Sequence, residues 1–367
     1  MDHHHIENDP QYSGLTVNSG VKQPPVVNPY LQPRRRKPLP TVSEMVEGIL
    51  KGDITMLSRA VTLVESLSPA HQTLAQEVIE KCLPYSGNSR RIGITGVPGA
   101  GKSTSIDVFG LHVLKDGGKL AVLAIDPSSE RTKGSILGDK TRMEKLSVHP
   151  DAFIRPSPSA GSLGGVARKT RETIVLCEAA GFNNIFVETV GVGQSETAVH
   201  SMVDFFLLIQ LAGTGDELQG IKRGIMEMAD GIVINKADGD NIERAKLAQA
   251  QFRSALHLFP TPESGWTPEV LTYSGYFELG IPEVWDMIDR YFEFVKKNGY
   301  FERKRAGQAR YWMYETIDEQ LRNDFYHNPL VEARLVELEN RVLSNRQTSF
   351  MAAREVLDFY RGLENRQ

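Results

Sequence analysis

The sequence predicts an α/β fold built on a doubly wound, mostly parallel sheet. Short apolar runs, rich in β-branched residues, alternate with helical patterns, which is typical of βαβ units. The first of these runs leads directly into a glycine-rich turn and then into a helix. Such a turn lies at the carboxyl ends of the strands, where parallel sheets bind their ligands. The predicted strands are residues 92–95, 120–125, 184–187, 205–211, 231–234 and 270–273.

Helical segments flank the predicted α/β region, which spans 85–300. Residues 1–41 are rich in Pro, Asn, Gln and charge, so we predict a disordered or extended arm. In 42–84 the apolar residues recur at helical spacing, which predicts two or three amphipathic helices. Residues 301–367 have the pattern of long helices. The predicted helices in the C-terminal part of the chain are 282–297, 311–322, 330–346 and 350–363.

Composition and charge exclude several classes of protein. The 367 residues are 40% hydrophobic and 24% charged, as in a globular chain that buries a full core. A formal net charge of −4 argues against nucleic-acid and membrane-surface partners. No apolar run is long enough to span a bilayer. Cys82 and Cys177 lie far apart, which indicates no disulfide framework and favours the reducing cytoplasm.

A phosphate loop is predicted after the first strand. Residues 96–103 read GVPGAGKS and fit GxxxxGK(S/T) between a strand and a helix. The glycines let backbone N–H groups surround phosphate oxygens, and the helix N-terminus adds a positive dipole. Lys102 is expected to contact the β- and γ-phosphates, and the Ser103 hydroxyl to coordinate Mg²⁺. The predicted nucleotide contacts here are Gly96, Val97, Pro98, Gly99, Ala100, Gly101, Lys102, Ser103 and Thr104.

A base loop is predicted at 235–238, where the sequence reads NKAD after a strand. The Asp238 carboxylate can accept hydrogen bonds from the N1–H and 2-amino groups of guanine, and adenine offers neither donor. Each hydrogen bond to a charged group contributes about 1.5–3 kcal/mol, so losing two would reject ATP by a factor of hundreds. The Lys236 stem is expected to lie over the base, and Asn235 to connect the two loops.

The segment after the last predicted strand is a weaker part of the same site. Ser274 and Gly275 are placed to contact the guanine O6 through the backbone. Since proteins that use this contact usually have Ser-Ala, the Ser-Gly pair here is a less specific signal.

Acidic residues near the phosphates are candidate metal ligands. Asp126 ends a predicted strand and suits Mg²⁺, directly or through water, although a helix cap is the alternative. Asp139 is a further candidate. Glu188 begins ETVG, at the position of the DxxG motif of GTP-binding proteins, and is predicted as a metal ligand and catalytic residue. Gly191 should bind the γ-phosphate through its N–H. Val192 stands where Ras-like proteins have the water-orienting glutamine, so intrinsic hydrolysis should be slow.

At these motifs the sequence closely resembles the MeaB/ArgK/MMAA family, GTPase chaperones of adenosylcobalamin-dependent acyl-CoA mutases. The resemblance covers about 43–360. It is specific because 213–222, GTGDELQGIK, occupies the place of the family's third switch, which generic GTPases lack. The shared strings are GVPGAGKST, AIDPSS, GDKTRM, FVETVGVGQSE, GTGDELQGIKRGI and NKAD.

The resemblance implies Mg²⁺-dependent hydrolysis of GTP to GDP, a homodimer held largely by the C-terminal helices, and a mutase partner. The first candidate for the partner is methylmalonyl-CoA mutase, and GTP hydrolysis would gate the loading and repair of its cofactor. Isobutyryl-CoA and ethylmalonyl-CoA mutases remain alternative partners. We expect partner docking to bring Gln219 or Lys222 of the third switch near the phosphates, where a cation would act like an arginine finger. The family's usual alanine in the guanine segment is Gly275 here.

Two other functions are alternatives. A nickel-delivery GTPase would share the sheet and the phosphate loop but would hold metal with Cys/His clusters, and here both cysteines are isolated. A kinase or ATPase for arginine and ornithine transport would need to bind adenine, which the Asp238 carboxylate should exclude.

Overall fold

A parallel sheet forms the centre of the computed structural model. The residues described are 39–125, 143–156, 163–189, 195–213 and 223–364. The strands are β1 Arg90–Gly96, β2 Leu120–Ile125, β3 Ala152–Arg155, β4 Asn184–Thr189, β5 Phe205–Leu211, β6 Gly231–Asn235 and β7 Glu269–Thr272. Their order is β3-β2-β4-β1-β5-β6-β7, and each strand pairs in parallel with its neighbours. The predicted α/β class is confirmed, with a fully parallel sheet among the described residues.

Helices cover both faces of this sheet. Residues 83–85, 146–148 and 239–241 form short 3₁₀ turns. The α-helices are α1 Val42–Leu50, α2 Ile54–Glu65, α3 Pro69–Cys82, α4 Lys102–Lys115, α5 Leu163–Ala179, α6 Ser195–His200, α7 Arg223–Met228, α8 Ile242–Leu256, α9 Ile281–Lys297, α10 Tyr300–Tyr326, α11 Pro329–Leu343 and α12 Ser349–Glu364.

The sheet is buried on both faces because successive side chains of each strand point to opposite sides. In β1, Ile92 and Ile94 pack with α4 and α9 in one cluster. The opposite face packs against α1–α3, α5 and α6, and further along against α7 and α8. Gly93 points to that second face, where a Cβ would lie 2.7 Å from the Phe206 ring. The glycine therefore lets the α6–β5 connection approach the sheet closely.

The first two N-terminal helices begin at residues whose side chains cap them. Thr41 caps α1 and exchanges hydrogen bonds with Glu44 in a capping box. Asp53 accepts hydrogen bonds from the backbone N–H groups of Thr55 and Met56 at the start of α2. A proline at the first position starts α3. The predicted pair or trio of helices is therefore a trio.

Strand β3 was not predicted from the sequence. It has four residues and lies at the edge of the sheet, and within it Phe153 is the buried side chain. A strand this short shows too few alternations to be distinguished from a loop.

Helix α10 is longer than the predicted 311–322. It begins at Tyr300 and includes Gly307 in its interior. A helical glycine costs about 1 kcal/mol relative to alanine, and the burial of Trp312 further along the same helix offsets that cost. Helix α11, in contrast, ends three residues before the predicted 346, because Asn345 takes a left-handed φ of 55°.

Two findings bear on the environment of the chain. Among the helices of the described ranges, none has both the length and the apolar character needed to cross a bilayer. Cys82 and Cys177 are buried as free thiols.

Candidate nucleotide-binding site

The phosphate loop connects the end of β1 to the start of α4, at the carboxyl edge of the sheet. At Gly96 a Cβ would lie 2.3 Å from the backbone oxygen of Ile209 in β5. At Gly101 φ is +86°, and a Cβ would lie 2.6 Å from the Asn235 amide nitrogen. These two positions therefore require glycine, and the first N–H groups of α4 face the carboxyl edge.

Lys102 lies inside this loop. Its ammonium donates a hydrogen bond to the Gly96 carbonyl at 2.9 Å, so the side chain folds back over the turn. Burial lowers the pKa of Lys102, while the charges of Glu188 and Glu196 act in the opposite direction. A bound phosphate would add negative charge beside a partly desolvated ammonium, where Coulomb attraction is stronger than in water.

Ser103 and Glu188, both predicted as metal ligands, lie close together. The Ser103 hydroxyl is 3.4 Å from a Glu188 carboxylate oxygen, at the end of β4. A hydroxyl and a carboxylate are the hard oxygen ligands that Mg²⁺ prefers. Among the described residues, no group of three or more His, Cys, Asp or Glu comes together as a metal site. Mg²⁺ in nucleotide sites needs no such cage, since phosphates and waters supply most of its ligands.

Asn235 links three backbone segments of the site. Its amide nitrogen donates to the Ala100 carbonyl of the phosphate loop at 2.7 Å. Its amide oxygen accepts from the N–H groups of Lys236 at 2.7 Å and Gly275 at 3.0 Å. With 3% of its surface exposed, Asn235 is a buried connector between the phosphate loop and the base loop.

Asp238, the last residue of the base loop, contacts Ser274. The Ser274 hydroxyl donates to one Asp238 carboxylate oxygen at 2.6 Å. Residues Ser274 and Leu279 form an isolated antiparallel bridge that closes the turn after β7. Lys236 is exposed and has a left-handed φ of 59°, which turns the chain sharply after Asn235. Hydrogen bonds thus bring together the segments of Asp238 and Ser274, which were predicted to read the base.

One contact of the site has no local sequence signal. The Tyr273 hydroxyl lies 2.5 Å from the Ser105 hydroxyl, so the residue after β7 reaches the first turn of α4. A tyrosine at a strand end reads simply as a core residue, and the two positions are 168 residues apart.

Several predicted residues lie outside the described ranges. They are Asp126, Asp139, Gly191, Val192, Gln219 and Lys222.

A strand–loop–helix that carries Lys102 and Ser103, joined through Asn235 to an NKxD loop on a parallel doubly wound sheet, defines a P-loop GTPase. The family model described as methylmalonyl Co-A mutase-associated GTPase MeaB matches residues 57–329. The chain belongs to this family.

Individual relatives agree with this assignment. The chain is 49% identical over 318 residues to a probable GTPase of Mycobacterium tuberculosis, covering 87% of this chain and 95% of that one. It is 44% identical over 313 residues to the mitochondrial methylmalonic aciduria type A homolog of Mus musculus, covering 83% and 75%. A crystal structure of an LAO/AO transport system kinase matches with 37% identity and a TM-score of 0.71, covering 87% and 97%. The predicted family, fold and GTPase activity are confirmed.

Proposed function

We propose that this GTPase is a chaperone of an adenosylcobalamin-dependent acyl-CoA mutase, foremost methylmalonyl-CoA mutase. In this proposal GTP hydrolysis gates cofactor loading, protection and reactivation of the mutase. The matching family is described as mutase-associated, and the mouse relative is named for methylmalonic aciduria. The observation that carries the nucleotide part is the Asn235 amide, because it joins the phosphate loop and the base loop into one site.

GTP and GDP would occupy the carboxyl edge of the sheet. Residues 96–104 would surround the phosphates with backbone N–H groups, and Lys102 would offset their charge. Asp238 would accept from guanine N1–H and the 2-amino group, with the Lys236 stem over the ring. The backbone at Ser274 and Gly275 would face O6. The positions of Asn235 and Gly275, which share a hydrogen bond, support this arrangement.

Mg²⁺ would be held by Ser103 and Glu188, together with Asp126 and Asp139. The hydroxyl and carboxylate near each other at the end of β4 fit a hard cation. Bound there, the ion would supply positive charge that offsets the charge of the nucleotide phosphates.

For hydrolysis, Lys102 and Glu188 would be the catalytic residues that the chain supplies by itself. Gly191 would hold the γ-phosphate through its N–H. Gln219 or Lys222 would complete the site when the mutase docks, since Val192 supplies no water-orienting amide. A cation supplied at that moment is worth about 10³–10⁵ in rate in related systems.

A homodimer built on the C-terminal helices is the proposed assembly. In α10, Tyr314, Ile317 and Leu321 follow one another at helical spacing and are 45–60% exposed. On α12, Phe350 is 90% exposed. Apolar side chains arranged in this way on long helices favour a helical interface between copies. The proposed location is the cytoplasm, which agrees with two buried free thiols.

The deciding experiment is GTP turnover with and without saturating methylmalonyl-CoA mutase. We expect the mutase to raise turnover, and Lys222→Ala to remove most of that increase. The control is Lys246→Ala, because Lys246 is an exposed residue of α8 that pairs with Glu243. This variant should retain the increase in turnover. If none of the three candidate mutases changes turnover, the chaperone proposal is wrong. If Lys222→Ala is stimulated as strongly as the parent protein, only the role of Lys222 fails.

The kinase of an LAO/AO transport system is a second candidate, because a similar crystal structure carries that name. Competition of unlabelled GTP and unlabelled ATP against a bound labelled nucleotide distinguishes the two functions. We expect GTP to displace the label at concentrations hundreds of times lower than ATP. Equal displacement by both nucleotides would favour the kinase.

A further inference from the structure

Tyr273 holds the base loop through its backbone. It follows β7 directly and is 2% exposed. Its N–H donates to the Ile234 carbonyl at 3.0 Å, just before the base loop. Its carbonyl accepts from the Ala237 N–H at 3.0 Å, inside that loop. The loop is therefore held on both sides of Asn235 by the residue that follows the neighbouring strand.

The side chain of the same residue reaches the phosphate-binding helix. The Tyr273 hydroxyl is 2.5 Å from the Ser105 hydroxyl, which is itself 2.7 Å from the Gly101 carbonyl. A carbonyl only accepts, so the single hydroxyl proton of Ser105 goes to Gly101. Ser105 must then accept from Tyr273. Burial raises the pKa of Tyr273, so the phenol keeps the proton it donates.

Two further contacts make this a stiff connection. The Tyr273 ring stacks on Phe109 of α4, with centroids 5.4 Å apart. The Gly101 carbonyl also accepts the Ser105 backbone N–H at 2.9 Å, the first hydrogen bond of α4. The series of hydrogen bonds from Tyr273 through Ser105 thus ends at Gly101, the residue immediately before Lys102 and Ser103.

We propose that Tyr273 is a positioning residue that couples the base loop to the phosphate site. Its hydroxyl fixes the first turn of α4 and, through it, the side chains of Lys102 and Ser103. The inference rests on the proposed nucleotide contacts of the phosphate loop and the base loop.

Tyr273→Phe separates this role from the backbone role. The phenylalanine ring can keep the stacking on Phe109, and the backbone hydrogen bonds to the base loop do not involve the hydroxyl. Loss of the hydroxyl should therefore weaken the phosphate site and leave base recognition intact. A residue that only stabilises the fold would show no such division.

The measurement is the affinity for GTP, GDP and IDP in the parent protein and in variants. Inosine lacks the 2-amino group, so the ratio of GDP to IDP affinity reports base recognition, whereas the absolute affinities also report the phosphates. We expect Tyr273→Phe to weaken GTP, GDP and IDP binding by about fivefold and to keep the GDP:IDP ratio. Ser105→Ala should have the same effect, and the double variant should lose no more than either single one.

Tyr291→Phe is the matched control. Tyr291 is another buried phenol, whose hydroxyl donates to the Asp204 carbonyl at 2.8 Å. Its loss should lower thermal stability and leave all three affinities unchanged. Unchanged affinities in Tyr273→Phe, or a collapse of its GDP:IDP ratio, would overturn the inference.

Lys102→Ala tests the underlying site. If it retains GTP affinity, the proposed phosphate site is wrong. If Lys102→Ala loses GTP binding while Tyr273→Phe does not, the site stands and the role of Tyr273 fails.

Discussion

The two ends of the central strands β4, β1 and β5 use charged residues differently. At the carboxyl end, Lys102 donates its hydrogen bond to a backbone carbonyl, and Ser103 lies 3.4 Å from Glu188. At the amino end, arginines and carboxylates form close, two-point ion pairs inside the protein. The first arrangement places these groups beside the phosphate loop, and the second uses them to hold helices to strands.

Two such pairs lie at the amino end among the residues that the structure describes. Arg91 of β1 binds both oxygens of Glu178 at 2.8 and 2.9 Å, which attaches the end of α5. Arg305 of α10 binds both oxygens of Asp204, just before β5, at 2.9 and 2.8 Å. The carboxylates are 1% and 2% exposed. The comparison teaches that residue type alone does not mark a candidate functional charge, because both ends hold cations beside carboxylates and differ in the contacts that these groups make.

The largest expected effect tests the carboxyl end. Asp238→Asn should weaken GTP binding by more than about a hundredfold, because two hydrogen bonds to a charged acceptor are lost. It should also gain affinity for XTP, because the amide can donate to the xanthine 2-oxo group. Equilibrium binding of both nucleotides at equal Mg²⁺ measures this. Asp240 is an exposed neighbour of Asp238, and the control variant Asp240→Asn should change neither affinity. A variant that still prefers GTP over XTP would refute the role of Asp238.

The second effect tests the amino end. Arg305→Ala should lower the free energy of unfolding by about 3–5 kcal/mol, because Asp204 is left buried without its main partner. GTP affinity of the folded protein should stay within about twofold. Denaturant unfolding and nucleotide titration measure the two quantities.

Arg290→Ala is the control for that variant. Arg290 pairs with Glu269 at the surface, where the side chains are 51% and 34% exposed. Its loss should cost less than about 1 kcal/mol. If Arg305→Ala weakened GTP binding by the folded protein by more than about twofold, the two ends would not act independently.

The same contrast explains what the sequence could predict. The phosphate loop and the base loop are contiguous motifs whose spacing is dictated by the ligand, so they are visible one segment at a time. Asn235 was predicted to connect them, and it contacts Ala100. The pair of Arg305 and Asp204 spans 101 residues and has no local pattern. Strand β3 and the full length of α10 were missed for a related reason: packing against distant residues, rather than periodicity, stabilises them.

A smaller effect concerns pH and again belongs to the amino end. Burial, with a contribution from the positive charge of Lys304, lowers the pKa of His200 to about 4. The unfolded chain therefore binds this proton more readily than the folded one between about pH 6.5 and 4. Stability should be fully present above pH 6.5 and decrease as the pH falls, by about 2 kcal/mol between pH 7 and pH 5.

His200→Gln isolates that contribution, because glutamine does not titrate. The slope of unfolding free energy against pH should be smaller in the variant. Asp230, whose pKa burial raises, contributes with the opposite sign, so the difference between the two proteins is the informative quantity. Parallel pH profiles for parent and variant would contradict the assignment to His200.

The smallest effect compares two glycines that face Asn235. At Gly101 a Cβ would lie 2.6 Å from the amide nitrogen with φ at +86°, so Gly101→Ala should weaken GTP binding and lower stability. Gly275 has no positive φ, and its nearest atoms to a Cβ are Asn235 Oδ1 at 3.6 Å and Thr104 Cγ2 at 3.7 Å.

Those distances are ordinary van der Waals contacts, so alanine fits at Gly275 without displacing the Asn235 amide. Gly275→Ala should leave GTP affinity within about twofold and raise stability by about 0.4–1 kcal/mol, because the unfolded chain loses conformational freedom. Nucleotide titration and denaturant unfolding of both glycine variants provide the comparison. A large loss of GTP affinity in Gly275→Ala would mean that the nucleotide approaches this backbone more closely than the hydrogen bond from its N–H to Asn235 implies.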